Sequence, residues 1–462
     1  MNYDVIFIGS GHAAWHAAIA LVKMKKKVAI IEKDTIAGTC TNYGCNAKFL
    51  LETPFEVLED LDNLGDIFES RPEVNWPNLM KYKHEVIDPL SDILEDLFKQ
   101  SGIDIIKGTG RLKDKNTVTV ENRAYTADYI VLATGQRSHI LDIEGKEYLH
   151  DSRDFLDLET FPEHITIIGG GYIGIEFASI ASKMGSKVTV ISHSDKVLKA
   201  FYQPHVDRLV KKLESEHVTF HYHEDTVQVE KQNGKFVLHT KSGLSVETDY
   251  VLDATGRIPN VEGLGLDEVG VKYSTKGIKV NNHLQTSVDN IYASGDVLDK
   301  EIPKLTPTAT FESNYIAMQI LGKDASLLQL PLKALELLPI KYPAIPSVVY
   351  SLPRLAQVGM PIDEAAKKGH KIKTIKYGEQ MRFEYKNELD AELVIALNKT
   401  NHLIGAAIYG QDAPDLINLL TLIIEKKLGA KDLNLMIFAF PGASSGVIDL
   451  LKFQMLGVDM DL

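Results

Sequence analysis

The sequence predicts an α/β protein: two Rossmann-like dinucleotide-binding domains followed by a C-terminal α+β domain. Three observations predict it. An apolar run, Asp4–Ile8, ends in Gly9-Ser10-Gly11-His12-Ala13-Ala14. A small-residue helical stretch and a second apolar run, Val28–Ile31, follow, and the run closes on Glu32. The same order recurs about 160 residues later, where Ile165–Ile168 leads into Gly169-Gly170-Gly171-Tyr172-Ile173-Gly174, a helix and Val188–Ile191. From about Leu338 the texture changes to a strand-like Pro346–Ser351, a hairpin-rich stretch and a helical run over 413–428, with no glycine fingerprint. The expected boundaries are 1–150 for the first nucleotide domain, 151–262 for the second, 263–339 for a segment completing the first, and 340–462 for the last.

Composition narrows the class. The chain has 462 residues, 44% of them hydrophobic and 24% charged, as in ordinary globular proteins. Its formal net charge of −13 argues against nucleic acid or an anionic membrane surface as partner. No run approaches the roughly 18 apolar residues of a membrane span. The start, Met1-Asn2-Tyr3-Asp4, lacks the basic region of a secretory signal. The expectation is a cytoplasmic enzyme acting on a small molecule.

A strand, a glycine turn and a helix start let the backbone approach a pyrophosphate, which meets free N–H groups and a positive dipole end. In the first unit Gly9 and Gly11 carry this role, with Ala14 at the third, small position. In the second, Gly169, Gly171, Ile173 and Gly174 do so. The residue 23 positions after Gly9 is Glu32, followed by Lys33. An acid there accepts bonds from a free ribose 2′-OH, so this unit suits the adenosine of FAD. The equivalent offset from Gly169 falls on Ser192, followed by His193 and, further on, Lys199. Without the acid, a 2′-phosphate is accommodated, which favours NADPH over NADH. The alternative is that His193 and Lys199 are ordinary solvated side chains. Two near-copies of a strand-end phrase bring Thr134-Gly135 and Thr255-Gly256 to the sites, and a strand ending in Gly295-Asp296 places a carboxylate where a flavin ribitol could donate to it.

The chain has two cysteines, Cys40 and Cys45. So sparse a count fits a reducing compartment, where a disulfide is more often catalytic than structural. Spacing alone leaves a redox pair and a pair of buried thiols equally open. No metal site is expected.

Gly38-Thr39-Cys40-Thr41-Asn42-Tyr43-Gly44-Cys45-Asn46-Ala47-Lys48 resembles the active-site phrase of flavoprotein disulfide reductases, a family that includes glutathione reductase, dihydrolipoamide dehydrogenase and mercuric reductase. The strand-end phrases, Gly171–Glu176, Ala293–Asp296, Leu305-Thr306-Pro307, Pro346–Val349 and Val358-Gly359 are similar to that family in the same order. The resemblance covers essentially the whole chain. It implies a homodimer in which residues 340–462 form the dimerisation domain. It also implies FAD, held in part by Gly38, Thr39 and Lys48, and hydride delivery from NADPH under a gating Tyr172. Cys45 would lie against the flavin and Cys40 would face substrate. Lys48 and Glu176 would form a pair beside the flavin.

One stretch departs from the family. Its acid/base is a histidine in a His-Pro phrase near the C-terminus, oriented by a glutamate five residues on. Here Phe440 and Ser445 stand at those positions, and no histidine follows His402. Expelling a thiolate of pKa near ~8.5 benefits from a general acid, typically by ~10²–10⁴-fold. The expected substrate is therefore a small electrophile, closed in by Phe440, whose leaving group needs no proton. Hypothiocyanous acid fits, and within the family the chain is similar to bacterial hypothiocyanous acid reductases. Low-molecular-weight disulfides of the glutathione or lipoamide type, metal ions, quinones and oxygen are the competing substrates, and a non-enzymatic relative is a further alternative.

Overall fold

The computed structural model describes residues 2–323, 338–380 and 384–458. The chain divides into two compact units. Met1–Lys48, Met80–His139 and Gly256–Lys341 make the first; Phe49–Leu79, Ile140–Thr255 and Tyr342–Leu462 make the second.

The first unit is a Rossmann-type sheet. Strand β1, Asn2–Ile8, lies parallel between β2, Val28–Glu32, and the strand Arg123–Leu132. Asp104–Lys107 extends β2 on one side, and an antiparallel meander, Gly110–Asp114 and Thr117–Val120, continues beyond Arg123–Leu132. Ile291–Ala293 also pairs with Arg123–Leu132, so a segment distant in sequence completes the sheet. Val5, Ile6 and Phe7 are wholly buried, as expected for a parallel strand covered on both faces. Helix α1, His12–Lys23, presents Ala13, Ala14, Ala17 and Ala18 to the interior. These small side chains let it lie close to the helix Thr306–Gly322, where Ser313 Oγ accepts from the Ala17 amide at 3.0 Å. Two further helices bear the cysteines: α2, Gly38–Tyr43, and α3, Cys45–Leu64, the latter continuing into the second unit.

The second unit repeats the parallel theme. Val218–Tyr222, Lys187–Ser192, His164–Ile168 and Tyr250–Asp253 form a four-stranded parallel sheet. Thr226–Gln232, Lys235–Thr240 and Ser245–Thr248 form an antiparallel sheet beside it in sequence. The C-terminal part is a five-stranded antiparallel sheet in the order Ser347–Val349, Leu355–Gly359, Leu403–Tyr409, Glu392–Leu397, Lys371–Ile375. Its core contains Ile408, Leu416, Leu420 and Ile448, from the sheet and from the helices Ala413–Lys426 and Ala443–Leu456.

Within this unit Arg354 is clamped by two carboxylates of α3. Its guanidinium donates to both oxygens of Glu52, at 2.8 and 3.0 Å, and to Glu56 at 2.7 and 2.8 Å. Arg354 and Glu52 are buried. Arg354→Met is expected to destabilise the protein by about 3–5 kcal/mol, because the carboxylates lose their counter-charge where water cannot replace it. The thermal midpoint of the holoenzyme checks this; an unchanged midpoint would show that water reaches Glu52. Among the described residues no helix is long and apolar enough to cross a membrane.

Candidate active site

The cysteine pair sits at a break between two helices. Helix α2 opens on Ala37, whose φ of 72° is left-handed, and ends at Gly44; α3 begins with the next residue, Cys45. A Cβ on Gly44 would come within 2.8 Å of the Thr39 carbonyl oxygen. Only glycine lets the chain turn so tightly that no linker separates the helices. The Asn42 amide donates to the carbonyls of Ile36 and Gly38, at 2.7 and 2.9 Å, and fixes the start of α2. Cys40 is half-buried and Cys45 exposed. Cys45 is the first residue of a 20-residue helix, where free N–H groups and the positive dipole end favour a thiolate. A hydrogen bond to Cys45 pushes the Cys40 thiol far above its ordinary range; burial and the charge of Cys45 add to this, while Thr306 opposes it.

Thr306, the first residue of its helix, also lies 3.6 Å from Cys45 Sγ through Oγ1. The Leu305-Thr306-Pro307 phrase marked the family, but its meeting with both thiols had no signal in the sequence, because 261 positions separate Thr306 from Cys45. Lys48 stands in the first turn of α3, where its amide donates to the Gly44 carbonyl at 2.9 Å.

The turn Gly9–Gly11 has the shape a dinucleotide requires. Gly9 has φ +105°, and a Cβ on it would meet the Ala133 carbonyl at 2.3 Å. Gly11, the residue before α1, has no side chain to cap the helix, and a Cβ on it would lie 4.0 Å from the Ala37 carbonyl oxygen, an ordinary contact. Ala14 is buried. Glu32 is more engaged than expected. Its Oε2 accepts from the Ser10 amide and hydroxyl, at 3.0 and 2.7 Å, and its Oε1 from the amides of Lys33 and Asp34, at 2.8 and 2.9 Å. A ribose hydroxyl would share an acceptor that already organises the turn, and Lys33 contributes an amide there. Gly38 and Thr39 open α2 directly beside this turn: a Cβ on Gly38 would lie 3.1 Å from Gly11 Cα.

Thr134 and Asn260 exchange two hydrogen bonds, at 2.7 and 2.8 Å, and the Gly135 carbonyl accepts from the Asn260 amide at 3.0 Å. Gly256, with φ +151°, has open space around it. Asp296 is largely buried, and burial raises its carboxyl pKa against the opposing charges of Arg257 and Lys304. It borders a small cleft that Lys300, Lys304, Thr308 and Glu312 also line. An uncapped helix start, a backbone approach that excludes a side chain, and a buried acceptor at a cleft together fit a dinucleotide carrying a polyol chain.

The second unit builds the same cradle. Gly169 has φ +117°, and a Cβ on it would lie 2.4 Å from the Ala254 carbonyl, whereas Gly171 faces open space. Gly174 packs beneath the Gly169 carbonyl, and Ile173 is half-buried. Gly169→Ala is expected to weaken pyridine-nucleotide binding more than tenfold while leaving flavin content unchanged; nucleotide titration and the flavin spectrum check the two halves. Ser192 is buried, and its Oγ accepts from the Ser194 amide at 3.2 Å. His193 is exposed and contacts Ser194 Oγ at 3.2 Å. Lys199 is exposed and paired with Asp195 at 3.1 Å. The Glu224 amide bonds the Ser192 carbonyl at 3.0 Å, but its carboxylate is taken up by Thr240 and Ser242, each at 2.6 Å.

Tyr172 opens the helix Tyr172–Lys183 and is 46% exposed. One turn on, Glu176 is buried and accepts from the Tyr350 amide at 2.9 Å. Lys48 belongs to the first unit and Glu176 to the second. Near the C-terminus Phe440 is 73% exposed, ahead of the helix Ala443–Leu456. Ser445 is buried, and its hydroxyl donates to the Gly442 carbonyl at 2.9 Å.

The pyridine nucleotide-disulphide oxidoreductase family matches residues 3–313, and that family's dimerisation domain matches residues 345–450. Dihydrolipoyl dehydrogenase of Bacillus subtilis is 32% identical over 454 residues, covering 95% of this chain and 93% of that protein. Glutathione reductase of Nostoc is 31% identical over 471 residues, covering 97% and 99%. Among solved structures, HOCl-induced flavoprotein disulfide reductase RclA from Escherichia coli, as its Cu(II) complex, superposes with a TM-score of 0.86 at 24% identity, covering 98% and 99%, and shares the fold. The chain thus belongs to the pyridine nucleotide-disulphide oxidoreductase family: it is a flavoprotein disulfide oxidoreductase whose cofactors are a flavin and a pyridine nucleotide.

Proposed function

We propose that this protein is an FAD-dependent, NADPH-driven reductase of a small electrophile, hypothiocyanous acid, acting in the cytoplasm as a homodimer. The observation that carries the reading is Phe440, an apolar and exposed side chain where the family has its acid/base histidine. Ser445, in place of the orienting glutamate, spends its hydroxyl on the Gly442 carbonyl. The chain therefore offers no protonating dyad at that position.

When bound, the flavin supplies two-electron transfer between the nicotinamide and the Cys40–Cys45 disulfide. The dithiol then does the chemistry on substrate. Cys40 sulfur attacks the sulfur of hypothiocyanous acid; the S–O bond breaks, the Cys40 proton passes through water to the departing oxygen, and that oxygen leaves as water. Cys45, as thiolate, attacks Cys40 sulfur, forms the disulfide and expels thiocyanate. The substrate gains two electrons and the dithiol loses them. Thiocyanate is a very weak base, so the second step needs no acid. In the first step a small substrate leaves room for water to act in place of a side chain. The start of α3 favours Cys45 as the ionised thiol, and Thr306 lies beside both sulfurs. Lys48, with Glu176, would hold positive charge near the flavin, and Tyr172 would admit the nicotinamide.

Glutathione- and lipoamide-type disulfides remain the second reading, favoured by the relatives of 31–32% identity. Anaerobic NADPH consumption against hypothiocyanous acid, glutathione disulfide, lipoamide, Hg(II) and quinones, with oxygen tested separately, separates them. Fast turnover of hypothiocyanous acid alone supports the proposal; fast turnover of a quinone or a metal ion with slow turnover of hypothiocyanous acid refutes it. The nucleotide preference has its own test. Ser192→Glu should reverse the preference from NADPH to NADH by placing a carboxylate against the 2′-phosphate. Wild-type selectivity for NADH would overturn that assignment.

A further inference from the structure

The residue after Gly11 is a histidine, and so is the residue one turn further along α1. His12 and His16 stand at i and i+4, on one face of the helix. His12 Nδ1 faces His16 Nε2 at 3.1 Å, with the ring planes 37° apart. The indole of Trp15 stacks on His16 with centroids 3.5 Å apart, and Phe98 backs the indole at 6.0 Å. The His16 ring is thereby held in place, and both imidazoles remain partly open to solvent. Without an ion, a single N–H lies between the two nitrogens.

We propose that His12 and His16 form a binding site for a borderline divalent transition-metal ion, such as Zn(II) or Ni(II). Two imidazole nitrogens bound side by side to one such ion, each at about 2.0–2.1 Å, lie roughly 3 Å apart. That is the separation the chain already holds. A pair of histidines four apart on a helix is the arrangement by which zinc enzymes supply two of their ligands, and imidazole suits Zn and Ni alike. Among the described residues no group of three or more His, Cys, Asp and Glu side chains converges on a metal position. The ion would therefore keep open positions for water and exchange readily. The site is separate from the thiols, which the oxidised enzyme withdraws as the Cys40–Cys45 disulfide; the chain has no other cysteine.

The test uses oxidised holoenzyme carrying no affinity tag. Calorimetric titration with ZnCl₂ should give one ion per chain with a micromolar dissociation constant. His16→Ala should retain the flavin spectrum and lose at least ~10-fold in affinity, a loss that even outer-shell changes can cause. NiCl₂ should quench Trp15 emission in the wild type, and quench it less in His16→Ala. If His16→Ala does not fold, His16→Gln and His12→Gln carry the same comparison, with flavin content measured in each. Absence of binding in the wild type, equal affinity in the histidine variants, or binding confined to the reduced dithiol form would each overturn the proposal.

Discussion

Cys45→Ser is expected to remove the long-wavelength absorption band that NADPH produces in the wild-type holoenzyme, and to lower turnover by about 10⁴-fold or more, as loss of a nucleophile does elsewhere. The wild-type protein should be yellow, with one FAD per chain. The band requires a thiolate against the oxidised flavin, and Cys45, at the start of α3, is the sulfur that the helix favours in that form. With only two cysteines in 462 residues, no third thiol can substitute. Cys40→Ser is expected to keep the band and lose turnover, because Cys40 would be the sulfur that meets substrate. Anaerobic titration of both variants decides the assignment. If Cys45→Ser kept the band and Cys40→Ser lost it, the two roles would be exchanged. If NADPH failed to bleach the flavin of the wild type, the chain would be a relative that binds cofactors without catalysis.

Wild-type enzyme is expected to reduce hypothiocyanous acid quickly and to leave glutathione disulfide and lipoamide nearly untouched. The predicted deficit on disulfides is the ~10²–10⁴-fold that a general acid typically provides. Phe440→Ala separates space from chemistry. It should admit larger electrophiles without raising disulfide turnover, since room alone does not protonate a departing thiolate. Phe440→His with Ser445→Glu restores both groups of the family dyad and should raise disulfide reduction. Ser445 lies within the first turn of its helix and is buried, so the glutamate must find space that the serine does not use. Steady-state rates for the three proteins on three substrates give the outcome. Fast reduction of glutathione disulfide by the wild type would show that another acid serves the site.

Features set by neighbours in sequence were legible from the sequence. A glycine turn between a strand and a helix is a local pattern, and Gly9, Gly11, Gly169 and Gly171 stand in such turns. The family phrase around Cys40 and Cys45 is equally local. Features that depend on long-range packing were not legible. Thr306 meets the two sulfurs because the strand Ile291–Ala293 joins the first sheet and carries the following helix with it. Glu32 was expected as an open acceptor; the four donors around it are backbone amides and a serine hydroxyl whose directions only the folded turn fixes. Lys199, read from the sequence either as a phosphate partner or as a solvated side chain, pairs with an exposed carboxylate four residues earlier, a contact the sequence pattern did not announce. Near Ser192 the sequence showed no acid, yet a parallel strand ends nearby and brings Glu224, which Thr240 and Ser242 then engage.

The Gly44 junction bears on how long any adduct on Cys40 can survive. A single residue separates two helices there, so Cys45 is carried at a fixed, short reach from Cys40 without a loop to order. Its attack on a neighbouring adduct is intramolecular, and well-oriented reactions of this kind reach effective concentrations of about 10⁵–10⁸ M. Cellular thiols at millimolar levels cannot compete with such a neighbour. With Cys40 as the sulfur that meets substrate, as proposed, the turn would act as a kinetic guard: a captured electrophile would be committed to ring closure before a free thiol could intercept it. A side chain at Gly44, by pushing the helices apart, would turn a self-contained cycle into one that leaks adduct to its surroundings.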